Sequence, residues 1–146
     1  GYFTKGIKKN CAEIIVAEGN FHGRTTTIVG FSSEKEYKKG FGPFADGFIE
    51  AEYCSSNCNC SKVCENSIRS IKNAINNNTC AVIVEPIQGE GGIITPQSGW
   101  LVFCLLQLNN SACTIPLQVF GAESCTAVVE AACGSSRACW RRRCGI

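Results

Sequence analysis

Apolar residues along the chain fall into short blocks separated by polar or glycine-rich breaks. Residues 12–17 (Ala-Glu-Ile-Ile-Val-Ala) are β-branched and closed by Gly19-Asn20, which predicts a buried strand. Residues 25–31 follow a Gly-Arg turn and predict a helix. Gly40-Phe41-Gly42-Pro43-Phe44 is a loop, because two glycines and a proline block regular structure. Residues 48–53 predict a second strand. In residues 61–76, Val63, Ser67, Ile68, Ile71, Ala74 and Ile75 recur at spacings of three and four, the apolar stripe of an amphipathic helix. Asn76-Asn77-Asn78 ends that helix, and Cys80-Ala81-Val82-Ile83-Val84 reads as a buried strand stopped by Glu85-Pro86. Strand, helix, strand in this order is a βαβ pattern, which implies parallel strands and an α/β domain. Residues 100–108 start another helix, and beyond them no reliable periodicity is visible.

Two segments follow predicted strands, where open α/β sheets collect ligands. One is Gly19-Asn20-Phe21-His22-Gly23-Arg24-Thr25; the other is Glu85-Pro86-Ile87-Gln88-Gly89-Glu90-Gly91-Gly92. Phe21 and His22 are flat rings between glycines, suited either to stacking on a planar cofactor or to packing on their own core. A lone histidine such as His22 is more often structural than a general base. Arg24 offers a planar, permanently charged fork, which suits bidentate carboxylate binding or a surface ion pair. Glu85 and Glu90 are two carboxylates close in sequence. A hydrolytic acid–base pair is one reading; salt-bridging an arginine or shaping a cofactor's surroundings is the other.

Composition adds a discontinuity. The chain has 146 residues and a formal net charge of +2, which suits one domain and argues against a nucleic-acid binder relying on a basic face. Residues 1–100 hold eight Lys, two Arg and ten acidic residues, whereas residues 101–146 hold four Arg, two Glu and neither Lys nor Asp. A domain boundary, an alternatively spliced end or sequence foreign to the original protein would each produce this change. Arg141-Arg142-Arg143 reads as a solvated end. No run of about 18 apolar residues predicts a membrane span. The first ten residues carry three lysines and no apolar core, so they do not read as a signal peptide. With no Met anywhere, the chain is expected to begin inside a longer protein.

The 12 cysteines are clustered, with Cys54, Cys58, Cys60 and Cys64 in one short stretch and six more in the tail. Four thiolates can satisfy a tetrahedral zinc site. The spacing is not the usual paired C-x2-C, however, and a Cys-rich loop insertion is the alternative. No metal site is therefore assigned.

Several motifs, in order, resemble the class-III pyridoxal-phosphate aminotransferases, and within them the ornithine branch. They are Lys5-Gly6-Ile7-Lys8-Lys9, AEIIVA, GNFHGRT (19–25), Ser32-Ser33 with Glu36-Tyr37-Lys38, GFGPF (40–44), VEPIQGEGGI (84–93), Pro96 and Gly99-Trp100-Leu101. GFGPF favours the ornithine branch over the acetylornithine branch. The resemblance covers residues 1–101 and implies an α/β fragment of the large domain of the type I fold, with residues 102–146 an unmatched, Cys-containing tail. It implies pyridoxal phosphate as cofactor, ornithine and 2-oxoglutarate as substrates, and a homodimer for the intact enzyme, with no nucleic-acid or membrane partner. The compartment it implies is cytoplasmic or mitochondrial. Residue by residue, Phe21 resembles the aromatic stacked on the cofactor ring, with His22 beside it. Glu85 resembles a carboxylate near the cofactor, Arg24 the arginine that grips the substrate α-carboxylate, and Glu90 the partner of a switch arginine. Acetylornithine or another ω-amino acid is the alternative substrate class, and a non-catalytic binding role is the alternative function.

The sequence also departs from that pattern. No Lys follows position 72, so the Schiff-base lysine expected downstream is absent, as are the Asp-Glu-x-Gln stretch and the phosphate-binding Ser-Gly-Thr-type loop. The stretch 54–65 is an insertion where relatives have a short acidic link. The isolated chain is therefore expected to be inactive.

Overall fold

The computed structural model describes residues 6–54, 64–101 and 104, together with the backbone of 117–119 and 127–130. Its elements are β1 (Glu13–Ala17), α1 (Thr26–Phe31), α2 (Lys35–Lys38), β2 (Phe48–Ala51), α3 (Glu65–Ala74), β3 (Thr79–Val84), β4 (Leu117–Val119) and β5 (Ala127–Glu130). Trp100, Leu101 and Cys104 are helical as well.

The strands form one sheet in the order β2-β1-β3-β5-β4. β1 pairs parallel with β2 (Ile15 opposite Ile49) and with β3 (Ile15 opposite Val82). β2 and β3, joined through α3, run parallel, as the βαβ pattern predicts, with β1 lying between them. β1 buries Ile15, Val16 and Ala17 in succession instead of alternating, the pattern of a strand in a parallel sheet covered on both faces.

On α3, Ser67, Ile68 and Ile71 are buried while Glu65, Asn66, Arg69, Lys72 and Asn73 face out. The predicted stripe thus seals one face of the sheet, with Ala74 and Ile75 packed at its margin; Val63 lies outside the described residues. The core that this creates joins Ile15, Ala17, Val82 and Val84 of the sheet to Ile68, Ile71 and Trp100.

Cys54, Cys64 and Cys104 belong to the same core. Burial, with the neighbouring Cys54 and Cys64, pushes the Cys104 thiol up to about 12, so it is protonated at neutral pH and packs as a small apolar group. Two of the four clustered cysteines are therefore core residues. Cys58 and Cys60 lie outside the described residues, and no group of three or more potential metal ligands occurs among the described ones.

Three elements were not expected from the sequence. The one-turn helix α2 was not predicted, since four residues hold no periodicity; Glu34 caps it by accepting a hydrogen bond from the Glu36 N–H (3.4 Å). In the tail, where no pattern was visible, β5 pairs antiparallel with β3 and β4 pairs with β5. Without β5, β3 would be an edge strand whose outer N–H and C=O groups lacked partners, and such an edge is a template for a further strand. No helix among the described residues is long and apolar enough to cross a membrane.

Candidate functional site

β1 and β3 are parallel neighbours, so the loops that follow them emerge side by side at the same end of the sheet. The two segments singled out in the sequence are these loops, and three contacts join them. The Phe21 N–H donates to Glu85 Oε2 at 3.0 Å. Gln88 is fully buried, and its Nε2 donates to the Glu18 carbonyl at 2.6 Å. Gly19, at φ +74°, lies so close that a Cβ there would meet Gln88 Oε1 at 3.1 Å. Glycine is needed at 19 both for the left-handed turn and for this approach.

Asn20 fixes the exit from β1. Its buried amide donates to the carbonyls of Ala17 (2.7 Å) and Phe31 (3.2 Å), which ties the strand end to the end of α1. Ser33 adds a second tie, accepting from the Gly19 N–H (2.9 Å) and donating to Glu50 Oε1 (2.8 Å). The loop after β3 closes on itself through paired backbone bonds between Gln88 and Ile94 (2.9 and 2.8 Å).

Glu85 sits at the end of β3, almost wholly buried. Burial raises its carboxyl above the ordinary carboxylate range, and the Phe21 N–H partly offsets this. Its own carbonyl accepts from the Tyr53 hydroxyl at 2.7 Å. Burial, followed by the nearby Glu85 charge, also raises the Tyr53 phenol, so it stays a donor.

The raised Glu85 carboxyl makes a testable link to stability. Its protonated form is favoured in the folded chain, so its contribution is complete below the ordinary carboxylate range. That contribution is lost as pH rises through the raised value. Glu85→Gln keeps an acceptor for the Phe21 N–H and cannot ionise. The variant is therefore expected to gain stability relative to the parent chain as pH goes from about 4 to about 8. Urea midpoints of both proteins at the two pH values check this, and a constant difference would show that the carboxyl is not held against ionisation.

Phe21, Arg24 and Tyr37 form one cluster. The rings of Phe21 and Tyr37 meet edge to face, with centroids 6.0 Å apart and planes at 66°. The Arg24 guanidinium carbon lies 5.8 Å from the Phe21 centroid and 5.9 Å from that of Tyr37. Arg24 is exposed, and among the described residues no carboxylate lies within ion-pair distance of it; the ion pair found there, Lys39 with Glu36 at 3.9 Å, is exposed and on α2. Beside Arg24 opens a cavity of about 570 Å³, walled by Tyr37, Glu36, Thr26, Phe41 and Phe44.

The sequence-derived candidates thus separate. Phe21, Glu85 and Arg24 come together. His22 is half-buried with its ring 5.9 Å from that of Phe31, and burial lowers its pKa, so it is neutral at neutral pH. Glu90 is exposed on the turn after β3 and makes no ion pair among the described residues. Sequence reasoning quoted Tyr37 without giving it a role and missed Asn20, Gln88 and Tyr53. A lone aromatic ahead of a Gly-rich loop was the available signal for Tyr37.

The model of the family described as aminotransferase class-III matches residues 2–107. This chain belongs to the class-III aminotransferases. The ornithine aminotransferase of Brevibacillus brevis is 50% identical to it over 100 residues, and that of Staphylococcus epidermidis 48%. In each case the match covers 68% of this chain and 22% of the relative, so the chain spans about a fifth of their length. Among solved structures, the Toxoplasma gondii ornithine aminotransferase superposes with a TM-score of 0.64 at 30% identity, over 74% of this chain and 23% of that one. A second structure of that enzyme, crystallised with oxidised glutathione and equally similar, has PLP at partial occupancy in its active site. An ω-transaminase from Thermomicrobium roseum shares the fold, with a TM-score of 0.63 at 22% identity.

Class-III aminotransferases are pyridoxal-phosphate enzymes, and the residues of this aminotransferase chain fit part of that cofactor. The half-buried Phe21 ring suits its flat aromatic part, and the buried Glu85 accepts a hydrogen bond from the Phe21 backbone N–H. Among the described residues, no lysine lines the cavity beside Arg24.

Proposed function

We propose that this chain carries the ring-stacking and carboxylate-binding side of an ornithine-type aminotransferase site. The observation that carries this reading is the Phe21 N–H to Glu85 bond, which joins the two loops and leaves Arg24 flanking the Phe21 ring over an open cavity. In the parent reaction the δ-amino group of ornithine moves to 2-oxoglutarate, giving glutamate semialdehyde and glutamate. Pyridoxal phosphate, when bound, supplies the electron sink for this exchange.

The chain's own residues bind and orient. Phe21 offers its face to the cofactor ring, while His22, neutral and packed on Phe31, backs the loop that presents it. Glu85 holds the Phe21 backbone in place. Arg24 takes the substrate α-carboxylate in its planar fork, which leaves the distal amine directed at the cofactor. Glu90, exposed on its turn, neutralises a switch arginine when ornithine binds and releases it for the 2-oxo acid. Residues 1–101 carry the site. The 146-residue chain alone, with no lysine after position 72 to serve as the family's downstream Schiff-base lysine, is expected to bind without turning over, and the homodimer belongs to the intact enzyme.

Equilibrium binding to the purified chain tests this reading. Ornithine is expected to bind more tightly than putrescine, which has the same amines without the carboxylate. Equal binding of the two would contradict the role of Arg24.

A further inference from the structure

Tyr37 is half-buried on the one-turn helix α2, and the site described so far gives it no task. Its backbone N–H bonds to the Glu34 carbonyl (3.3 Å), and the Phe41 N–H to that of Lys38 (3.1 Å). These bonds hold α2 and the following loop as one wall of the cavity. Its ring touches both functional side chains at once: edge to face with Phe21, and beneath the guanidinium of Arg24. Phe21 is anchored through its backbone to Glu85. Arg24, by contrast, has a long flexible stem and an exposed head, and such a side chain loses much rotamer freedom when it is ordered on a ligand. Two ring faces that attract a cation hold it in advance. Glu36 lines the same cavity, so an Arg24 released from the rings has a competing carboxylate to turn to.

We infer that Tyr37 is a positioning residue that holds the Arg24 guanidinium at the mouth of the cavity, and that its ring, not its hydroxyl, does this. The inference deepens the proposed function, because it rests on Arg24 being the carboxylate fork. The expected size of the effect is that of an exposed cation–ring contact, about two- to fivefold in carboxylate-dependent affinity.

The test uses the purified 146-residue chain with Tyr37→Leu and Tyr37→Phe. The first readout, the NMR resonance of the Arg24 Nε–Hε group in the free chain, needs no ligand. The two rings are expected to shift it; the shift should shrink in Tyr37→Leu and persist in Tyr37→Phe. The second readout is the ratio of ornithine to putrescine affinity, expected to fall about two- to fivefold in Tyr37→Leu and to stay unchanged in Tyr37→Phe. An Arg24 resonance that does not respond to Tyr37→Leu overturns the proposal, and so does an equal loss in Tyr37→Phe, which would assign the effect to the hydroxyl. Failure of the underlying reading looks different: the parent chain would not distinguish ornithine from putrescine, whatever the Arg24 resonance does.

Discussion

Arg24→Leu is expected to abolish the preference of the chain for ornithine over putrescine, a loss of about 10- to 100-fold in carboxylate-dependent affinity. That range corresponds to the roughly 1.5–3 kcal/mol of a hydrogen bond to a charged group. Leucine keeps an apolar stem against the rings of Phe21 and Tyr37 and removes only the charged fork, so the fold should be untouched. Arg24→Lys separates charge from shape. A lysine ammonium is a point charge without the bidentate geometry, and only part of the preference should return. Competition binding with both ligands on the three proteins decides this. Full recovery with lysine would mean that net charge at the cavity mouth is sufficient.

The second large effect is expected far from the cavity. Trp100 is completely buried; its Nε1–H donates to Ser67 Oγ (3.0 Å), and Ser67 in turn donates to the Glu52 carbonyl (2.7 Å). The ring also meets Tyr53 edge to face at 5.0 Å, and Tyr53 bonds the Glu85 carbonyl. Trp100 therefore props the end of β3 that presents Glu85 to Phe21. Trp100→Ala opens a large cavity and is expected to destabilise the chain by about 3–5 kcal/mol, a large share of the ~5–15 kcal/mol that holds a typical domain together. Trp100→Phe keeps most of the volume but leaves Ser67 without its donor, so it should cost less, about 1–3 kcal/mol. Urea unfolding midpoints at constant m-value measure both. Equal costs would mean that the hydrogen bond, rather than the packed volume, carries the stabilisation.

What was legible in the sequence was what local pattern encodes. The β-branched runs marked β1 and β3, the three–four spacing marked α3, and glycine-bounded polar segments after strands marked both loops. What sequence pattern could not show was their meeting. Phe21 and Glu85 lie 64 positions apart and Gln88 and Glu18 70, and they touch only because β1 and β3 pair in the sheet. Gln88 and Asn20 read as loop polar residues. Their amides satisfy backbone carbonyls left open around the ends of β1 and α1. Tyr37 was hidden for another reason: a single helical turn has no period, and its value comes from two neighbours on another loop. β4 and β5 were invisible because backbone pairing, of β5 with β3 and of β4 with β5, positions them.

The proposed site is tested most directly in a whole enzyme. Residues 12–101 can replace the matching segment of the Brevibacillus brevis ornithine aminotransferase, to which this chain is 50% identical over 100 residues, and ornithine-dependent formation of glutamate from 2-oxoglutarate can then be measured. The account predicts that the hybrid turns over ornithine in preference to acetylornithine. A hybrid that folds and binds pyridoxal phosphate but prefers acetylornithine, or turns over neither, would contradict it.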